Sequence, residues 1–163
     1  MTSNRVQRRR SYIKTESALT DPTSSLYTTV EASVRMSRIR QSGTFTELCV
    51  RRLLRRHGFV YRLRNRDLPG SPDLANRRAK WAIFVNGCYW HHHTRCALAT
   101  TPKSNTAFWK AKFARNRARD ARVARALRNQ GFAVAIVWQC ELGDEIALWS
   151  RIKRRLQKKK ENE

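Results

Sequence analysis

The spacing of apolar residues predicts three helices, each with an apolar stripe and a basic or polar face. In the first helix, Leu53 and Leu54 lie on the stripe and arginines lie mostly opposite. Thr44 or Thr46 can cap its start, and Gly58 follows its end, where glycine is common. The predicted helices run from Phe45 to His57, from Thr106 to Gln130 and from Glu145 to Leu156.

Four shorter runs predict strands, and the third and fourth are continuously apolar, as buried strands are. The runs are Phe59 to Leu63, Asp73 to Ala75, Trp81 to Val85 and Phe132 to Trp138. A basic turn joins the second run to the third, which predicts a hairpin that brings Asp73 close to Val85 and Asn86. The order of elements predicts an α/β domain with a mixed sheet, the hairpin at its centre and a helix crossing over to the last strand.

The two ends of the chain differ from this pattern. Residues 1–31 are rich in Ser, Thr and Arg without sustained periodicity, which predicts a disordered basic tail. Residues 32–157 then form a single folded domain, and residues 158–163 a frayed basic tail. No apolar segment approaches the roughly 20 residues that span a bilayer, and no secretory signal is recognisable. These features predict a cytoplasmic protein.

The charge of the chain indicates a polyanionic partner. Lysine and arginine number 35 against 12 acidic residues, so the formal net charge is +23. Basic residues that neutralise phosphates release counterions, which makes nucleic acid the simplest partner. A membrane surface is the weaker alternative, and any single basic run can also be a solvated face.

A block of cysteines and histidines carries the most specific chemical signal. Cys88, His93 and Cys96 fall within nine residues, and such ligands at short spacing suit tetrahedral Zn²⁺. Cys140 follows the last apolar strand and is the candidate for the fourth ligand. The alternative is that Cys88 and Cys140 are buried apolar cysteines and that the histidines lie in a solvated loop.

Two acidic residues are candidates for a second kind of site. Asp73 stands at the start of a strand, beside the end of its hairpin partner, and such a carboxylate suits Mg²⁺. Glu47 lies in the first turn of the first helix, where an acid either complements the helix dipole or is presented to a metal.

Four motifs together resemble the very-short-patch mismatch-repair endonucleases, over the range Arg35 to Leu142. They are Leu68-Pro69-Gly70-Ser71-Pro72-Asp73, Phe84-Val85-Asn86-Gly87-Cys88-Tyr89-Trp90-His91, Phe108-Trp109 with Asn116 and Arg119-Asp120, and Val137-Trp138-Gln139-Cys140. The resemblance implies a restriction-endonuclease-like fold with a structural zinc. It also implies a monomeric, nucleoid-associated enzyme that uses Mg²⁺ to nick duplex DNA beside the T of a T·G mismatch left by deamination of 5-methylcytosine, with other mismatch-repair proteins as further partners.

The resemblance also implies roles for individual residues. Asp73 would bind Mg²⁺ through its carboxylate and Val85 through its carbonyl, His91 would be the catalytic histidine, and Glu47 a supporting acid. The zinc ligands would be Cys88, His93, Cys96 and Cys140. Tyr89, Trp90 and Met36 would wedge into the base stack beside the mismatch.

The chain departs from the family pattern at two positions. Asn86 stands where the family has a second histidine, and an amide cannot take up a proton at neutral pH. Two residues, rather than one, separate His93 from Cys96, so either the loop bulges or His92 is the ligand.

Two other functions fit part of the pattern. A zinc-containing DNA-binding protein without catalysis accounts for the charge, the cysteines and the aromatic residues, but gives Asp73, His91 and Glu47 no role. A nuclease with a different DNA target accounts for all of them and for Asn86. A structural RNA-binding protein fits the charge alone.

Overall fold

The computed structural model describes residues 43–157, in which three helices and three strands form a layered α/β domain. In chain order the elements are α1 (Phe45–Arg56), β1 (Leu74–Asn76), β2 (Trp81–Asn86), α2 (Thr106–Asn129), β3 (Ala133–Trp138), a 3₁₀ segment (Gln139–Gly143) and α3 (Glu145–Gln157). The α/β class and all three predicted helices are confirmed, with ends that differ from the predicted ones by one residue or none. No helix in this range is long and apolar enough to cross a membrane.

The sheet is mixed, and β2 is its middle strand. β1 pairs antiparallel with β2, with Leu74 opposite Ile83, and this confirms the predicted hairpin. β3 pairs parallel with β2, with Asn86 opposite Trp138, and α2 makes the predicted crossover between them. Within residues 43–157 the hairpin therefore contributes one central strand and one edge strand, rather than lying at the centre as a whole.

The prediction of a strand over Phe59 to Leu63 is wrong. Only Arg62 pairs, in an isolated bridge with Ala75. Phe59 and Tyr61 pack against the core, which explains the apolar residues in this segment. Such packing requires inward-facing side chains but no continuous pairing with a neighbouring strand. The chain then leaves the sheet at Arg64, which has a φ of 56°.

Two apolar layers hold the helices on opposite faces of the sheet. One layer lies between the sheet and helices α1 and α3, and includes Val50, Leu53, Leu54, Leu74, Ile83, Val137 and Ile152. The other lies under α2 and includes Ala75, Ala82, Ala124, Leu127, Phe132 and Val134. The first turns of α1 and the middle of α2 consequently flank the same end of β2.

The helix starts test the predicted caps. Thr44 caps α1, with its side-chain oxygen accepting a hydrogen bond from the Glu47 N–H at 3.3 Å. Asn105 occupies the N-cap position of α2 in a left-handed conformation, and its side chain makes no capping hydrogen bond. The cap of α1 matters for the site, because it fixes the turn that carries Glu47.

Candidate active site and metal centre

A cleft of about 1070 Å³ opens where β2 ends, between the start of α1 and the middle of α2. Asp73, just before β1, lies beside Val85 near the end of β2, and the Val85 N–H donates a hydrogen bond to Asp73 Oδ2 at 2.7 Å. The hairpin therefore brings together the two residues that the sequence paired. The contact between them uses the Val85 N–H, and the Val85 carbonyl, which the resemblance assigns to the metal, is a separate group.

Asp73 is in an environment that disfavours its negative charge. Its pKa is raised from 3.8 to about 6, chiefly by burial and also by the charge of Glu47, against the opposing effects of the Val85 N–H and Arg51. A cation bound between the carboxylates would offset both the burial and the repulsion from Glu47.

Glu47 is a buried acid, and not a surface residue that only complements the helix dipole. It is 3% exposed and lines the cleft. Its Oε2 accepts hydrogen bonds from the Gly43 N–H at 3.0 Å and from Arg51 at 2.7 Å. The capped turn and Arg51, one turn later, thus hold this carboxylate in a fixed orientation.

His91 lines the same cleft, and Asp120 of α2 holds its ring. His91 Nδ1 lies 2.5 Å from Asp120 Oδ2. Burial opposes ionisation of Asp120, but hydrogen bonding and the charges of His91 and Arg119 lower its pKa below the ordinary value. The arrangement leaves Nε2 of His91 as the ring nitrogen available for proton transfer.

Sequence reasoning gave no role to Asp120. It stands within the quoted Arg119-Asp120 pair, but it lies 29 positions from His91, on another element. Only its inclusion in a motif could have indicated a function.

Asn86 is the other polar residue that closes the end of β2. It is 6% exposed and lines the cleft.

The cysteines and one histidine form a cluster that could hold a metal ion. The ligand atoms of Cys88, His93, Cys96 and Cys140 all lie within 4.8 Å of one another. His93 Nδ1 is 3.7 Å from Cys88 Sγ and 3.3 Å from Cys140 Sγ. Cys88 is buried but Cys140 is exposed, so the alternative that both are buried apolar cysteines is wrong for Cys140.

His93, and not His92, belongs to this cluster. His92 makes other contacts: its Nε2 lies 3.2 Å from Thr101 Oγ1, its Nδ1 lies 3.2 Å from Arg117, and its ring stacks on Phe113. The loop accommodates its additional residue by a bulge, since Arg95 has a φ of 57°.

The thiols of the cluster affect one another's ionisation unequally. Desolvation, followed by hydrogen bonding and charge from Cys88 and Cys96, raises the pKa of Cys140 to about 12. The pKa of Cys96 is instead lowered, because hydrogen bonds that include those from Cys88 and Cys140 outweigh its desolvation. A coordinated metal ion reverses an upward shift such as that of Cys140, because it binds the thiolate.

Two aromatic residues lie between the cluster and the cleft. Tyr89 packs edge-on against Trp109 and Phe113 of α2, with centroid distances of 5.7 and 5.8 Å. Trp90 lines the cleft, and its carbonyl accepts a hydrogen bond from Asn116 at 2.9 Å. Both side chains are half-buried, so Tyr89 contacts the core more than the sequence indicated. Met36, the third predicted wedge residue, lies outside the described residues.

Comparison with known proteins gives one family. Residues 24–98 match the family model described as DNA mismatch endonuclease Vsr. A type II nicking enzyme of Xanthomonas oryzae is 43% identical over 118 residues, which cover 72% of this chain and 86% of that protein. The DNA mismatch endonuclease Vsr of Escherichia coli is 37% identical over 110 residues, 68% of this chain and 70% of that protein. A type II nicking enzyme of Neisseria meningitidis is 36% identical over 129 residues, 79% of this chain and 91% of that protein. By this similarity the chain belongs to the Vsr family of DNA mismatch endonucleases.

Proposed function

We propose that this protein nicks one strand of duplex DNA beside the T of a T·G mismatch, by Mg²⁺-dependent hydrolysis of a phosphodiester bond, in very-short-patch repair of deaminated 5-methylcytosine. The observation that carries the proposal is that the buried carboxylate of Glu47, the half-buried carboxylate of Asp73 and a carboxylate-held histidine line one cleft. The names of the relatives, mismatch endonuclease and nicking enzyme, support the reaction class.

The cleft has the donor chemistry that a magnesium site needs. Asp73 and Glu47 offer oxygen ligands, which Mg²⁺ prefers, and a bound cation would offset the burial and the negative charge of Glu47 that raise the pKa of Asp73. When bound, Mg²⁺ polarises the scissile phosphate and lowers the pKa of water. We assign Asp73 and the Val85 carbonyl to the metal, and Glu47 to support of Asp73.

His91 is assigned the proton transfer. Because Asp120 accepts at Nδ1, the ring presents Nε2 to the cleft in one orientation. Histidine exchanges protons near neutral pH, which suits it to take a proton from the attacking water. Asn86 cannot share this role, so the transfer depends on His91 alone.

We propose that the cysteine cluster holds a structural Zn²⁺. With Zn–S bonds of about 2.3 Å and a Zn–N bond of about 2.0 Å, tetrahedral ligands lie about 3.5–3.8 Å apart. The separations of 3.7 and 3.3 Å from His93 are close to this range. Four protein ligands leave no open position, so the ion braces the loop that carries Trp90 and His91.

Trp90 and Met36 are proposed to wedge into the duplex, whereas Tyr89, whose ring packs against α2, is not assigned to the wedge. The fold is proposed to be of the restriction-endonuclease type. A mismatched step costs less to unstack than a paired one, which favours insertion at the mismatch.

A nicking assay tests the function. We expect the protein with Mg²⁺ to nick a labelled T·G duplex and to leave the matched T·A duplex intact. Asp73→Asn should lose nicking while it retains duplex binding, because most of the binding energy comes from contacts between basic residues and phosphates. Binding without nicking by the wild-type protein would favour the non-catalytic alternative.

A panel of other mismatches tests the target. Cleavage of another mismatch in preference to T·G would favour a nuclease with a different target, for which Asn86 in the cleft is the specific observation.

A further inference from the structure

A second groove, outside the active-site cleft, lies between α2 and α3 along the edge of β3 that faces away from β2. It encloses about 470 Å³. Four arginines line it, together with residues of β3, and no acidic residue is among its lining. The arginines are Arg128 from the end of α2, and Arg151, Arg154 and Arg155 from α3. We call this surface the arginine groove.

Two of the four arginines build the wall of the groove. Arg151 donates to the Ile136 carbonyl at 3.0 Å and pairs with Glu141 at 2.6 Å. Arg155 donates to the Val134 carbonyl at 3.2 Å. These bonds satisfy two carbonyls on the edge of β3 that faces away from β2, so both side chains are held against that edge.

The other two arginines are not used by the fold. Arg128 and Arg154 are exposed, and in residues 43–157 neither guanidinium has a hydrogen-bond or ion-pair partner. Four cations on one small concave surface, with Glu141 as the nearby anion, repel one another unless a further anion binds. The guanidinium fork matches the geometry of phosphate oxygens.

The arginine groove is continuous with the cleft. Ile136 lines both, and Trp138 in the groove is followed by Gln139 in the cleft. A long polyanion that occupies the cleft can therefore continue over the edge of β3 into the groove, whereas a separate small ligand would have no need of this continuity.

We infer that the arginine groove binds a backbone phosphate of the DNA duplex that flanks the nicked position. The inference rests on the proposed function for the presence of a duplex in the cleft. It adds a contact that anchors the DNA away from the mismatch, through Arg128 and Arg154.

Binding measured without Mg²⁺ tests this inference independently of nicking. The test variant is Arg128→Gln/Arg154→Gln. The control is Arg78→Gln/Lys153→Gln, which removes the same charge from the β1–β2 turn and from an exposed position of α3 outside the groove. Dissociation constants are measured at several salt concentrations for T·G and T·A duplexes.

We expect the groove variant to bind both duplexes about tenfold more weakly, and the slope of log K against log salt to fall by about 1–2. The two duplexes should lose equally, since phosphate contacts carry no sequence information. The control should change little. Arg128→Lys/Arg154→Lys keeps the charge but loses the fork, so it should retain the salt slope and lose less affinity.

The position of the contact gives a second test. Two short duplexes carry the mismatch near one end or near the other. The groove variant should match the wild type on one of them and bind the other more weakly. Equal losses of affinity on both short duplexes, or a loss no larger than that of the control variant, would show that only the total charge matters. Either result would overturn the inference.

Inorganic phosphate distinguishes a small-anion site from a duplex contact. If phosphate raises the melting temperature of the wild type but not of the groove variant, while duplex binding is the same for both, the groove takes free anions and the inference is wrong. If duplex binding depends on the arginine groove but the protein never nicks, the inference about the groove stands and the proposed function is wrong.

Discussion

At the scale of single residues, Asp73 has a cost for folding that the proposed role in binding a cation would explain. Its carboxylate is largely buried beside Glu47, and its pKa is raised from 3.8 to about 6. An acid with a raised folded pKa binds more protons in the folded state than in the unfolded state between these two values. Stability therefore falls as pH rises through that window and stays at the lower level above it.

We predict that Asp73→Asn is more stable than the wild type at pH 7.5 in Mg²⁺-free buffer, by up to about 3 kcal/mol. The amide oxygen can still accept the Val85 N–H, but no charge is buried. The gain should disappear as pH falls toward 4, where the wild-type carboxyl is protonated. Urea unfolding at several pH values measures it.

Asp67→Asn is the control for this effect, because Asp67 is exposed and ion-paired with Arg77, so its removal should not stabilise. Added Mg²⁺ should stabilise the wild type and leave Asp73→Asn unchanged. A variant no more stable than the wild type at pH 7.5 would contradict the burial cost.

The contact between His91 and Asp120 makes a second prediction at this scale. Asp120→Asn should lower kcat for nicking about a hundredfold, the lower end of what positioned proton transfer contributes, and leave duplex affinity nearly unchanged. The amide still fits beside Nδ1 but no longer fixes the tautomer or stabilises the protonated ring. Single-turnover kinetics and a pH profile measure the effect.

If the two residues act as a unit, His91→Ala/Asp120→Asn should lose no more than His91→Ala alone. Additive losses would show that Asp120 acts elsewhere.

The contact that the sequence predicts, between Asp73 and Val85, and the contact that it does not predict, between His91 and Asp120, form in different ways. Asp73 and Val85 are joined by a local hairpin, so spacing was enough to predict their contact. Asp120 meets His91 through the rotation of α2 against the sheet, which no periodicity of a single helix specifies.

At the scale of elements, the parallel pairing of β2 and β3 assembles the cysteine cluster. Asn86 and Trp138 are register partners at the ends of their strands, and Cys88 and Cys140 each follow two residues later. Parallel strands end at the same edge of a sheet, so two apolar runs and a crossover helix were enough to predict this contact. The prediction of a strand at residues 59–63 was wrong because apolar spacing indicates burial and not strand pairing. An isolated bridge is enough to place Phe59 and Tyr61 against the core.

The cluster makes a prediction for metal content. We expect one zinc per chain in the wild type and in His92→Ala, and loss of zinc with a lower melting temperature in His93→Ala, because a structural metal is coupled to folding. Elemental analysis and thermal melting of the same preparations measure both quantities.

Retention of zinc in His93→Ala with loss in His92→Ala would contradict the ligand assignment. Correctly folded wild-type protein without zinc would contradict the structural role.

At the scale of the whole molecule, attraction to duplex DNA and selection of a mismatch depend on different features of the chain. A net charge of +23 supplies attraction to any duplex, with strong dependence on salt. Selection of a mismatch must come from a feature that tests the base stack, and Trp90 is the aromatic residue that both lines the cleft and adjoins His91. The attraction to DNA could be predicted from the composition alone. The structure was needed to show that Tyr89 packs on α2 whereas Trp90 lies in the cleft.

The last prediction follows from this difference. Trp90→Ala should lose about 1–3 kcal/mol of binding to a T·G duplex, the size of base–aromatic stacking, and little on T·A. The salt slope should stay the same, because no phosphate contact is lost. Tyr89→Ala should instead lower the melting temperature more than it lowers the T·G preference, since its ring packs against Trp109 and Phe113.

The two truncations distinguish a wedge from a core residue. If Trp90 is a core residue, its removal should cost about 3–5 kcal/mol of stability and weaken both duplexes alike. A stably folded Trp90→Ala protein with an unchanged T·G preference would exclude Trp90 as the wedge. Mismatch selection would then have to come from Met36, outside the described residues, or from Tyr89, which would have to leave its contacts on α2 to reach the base stack.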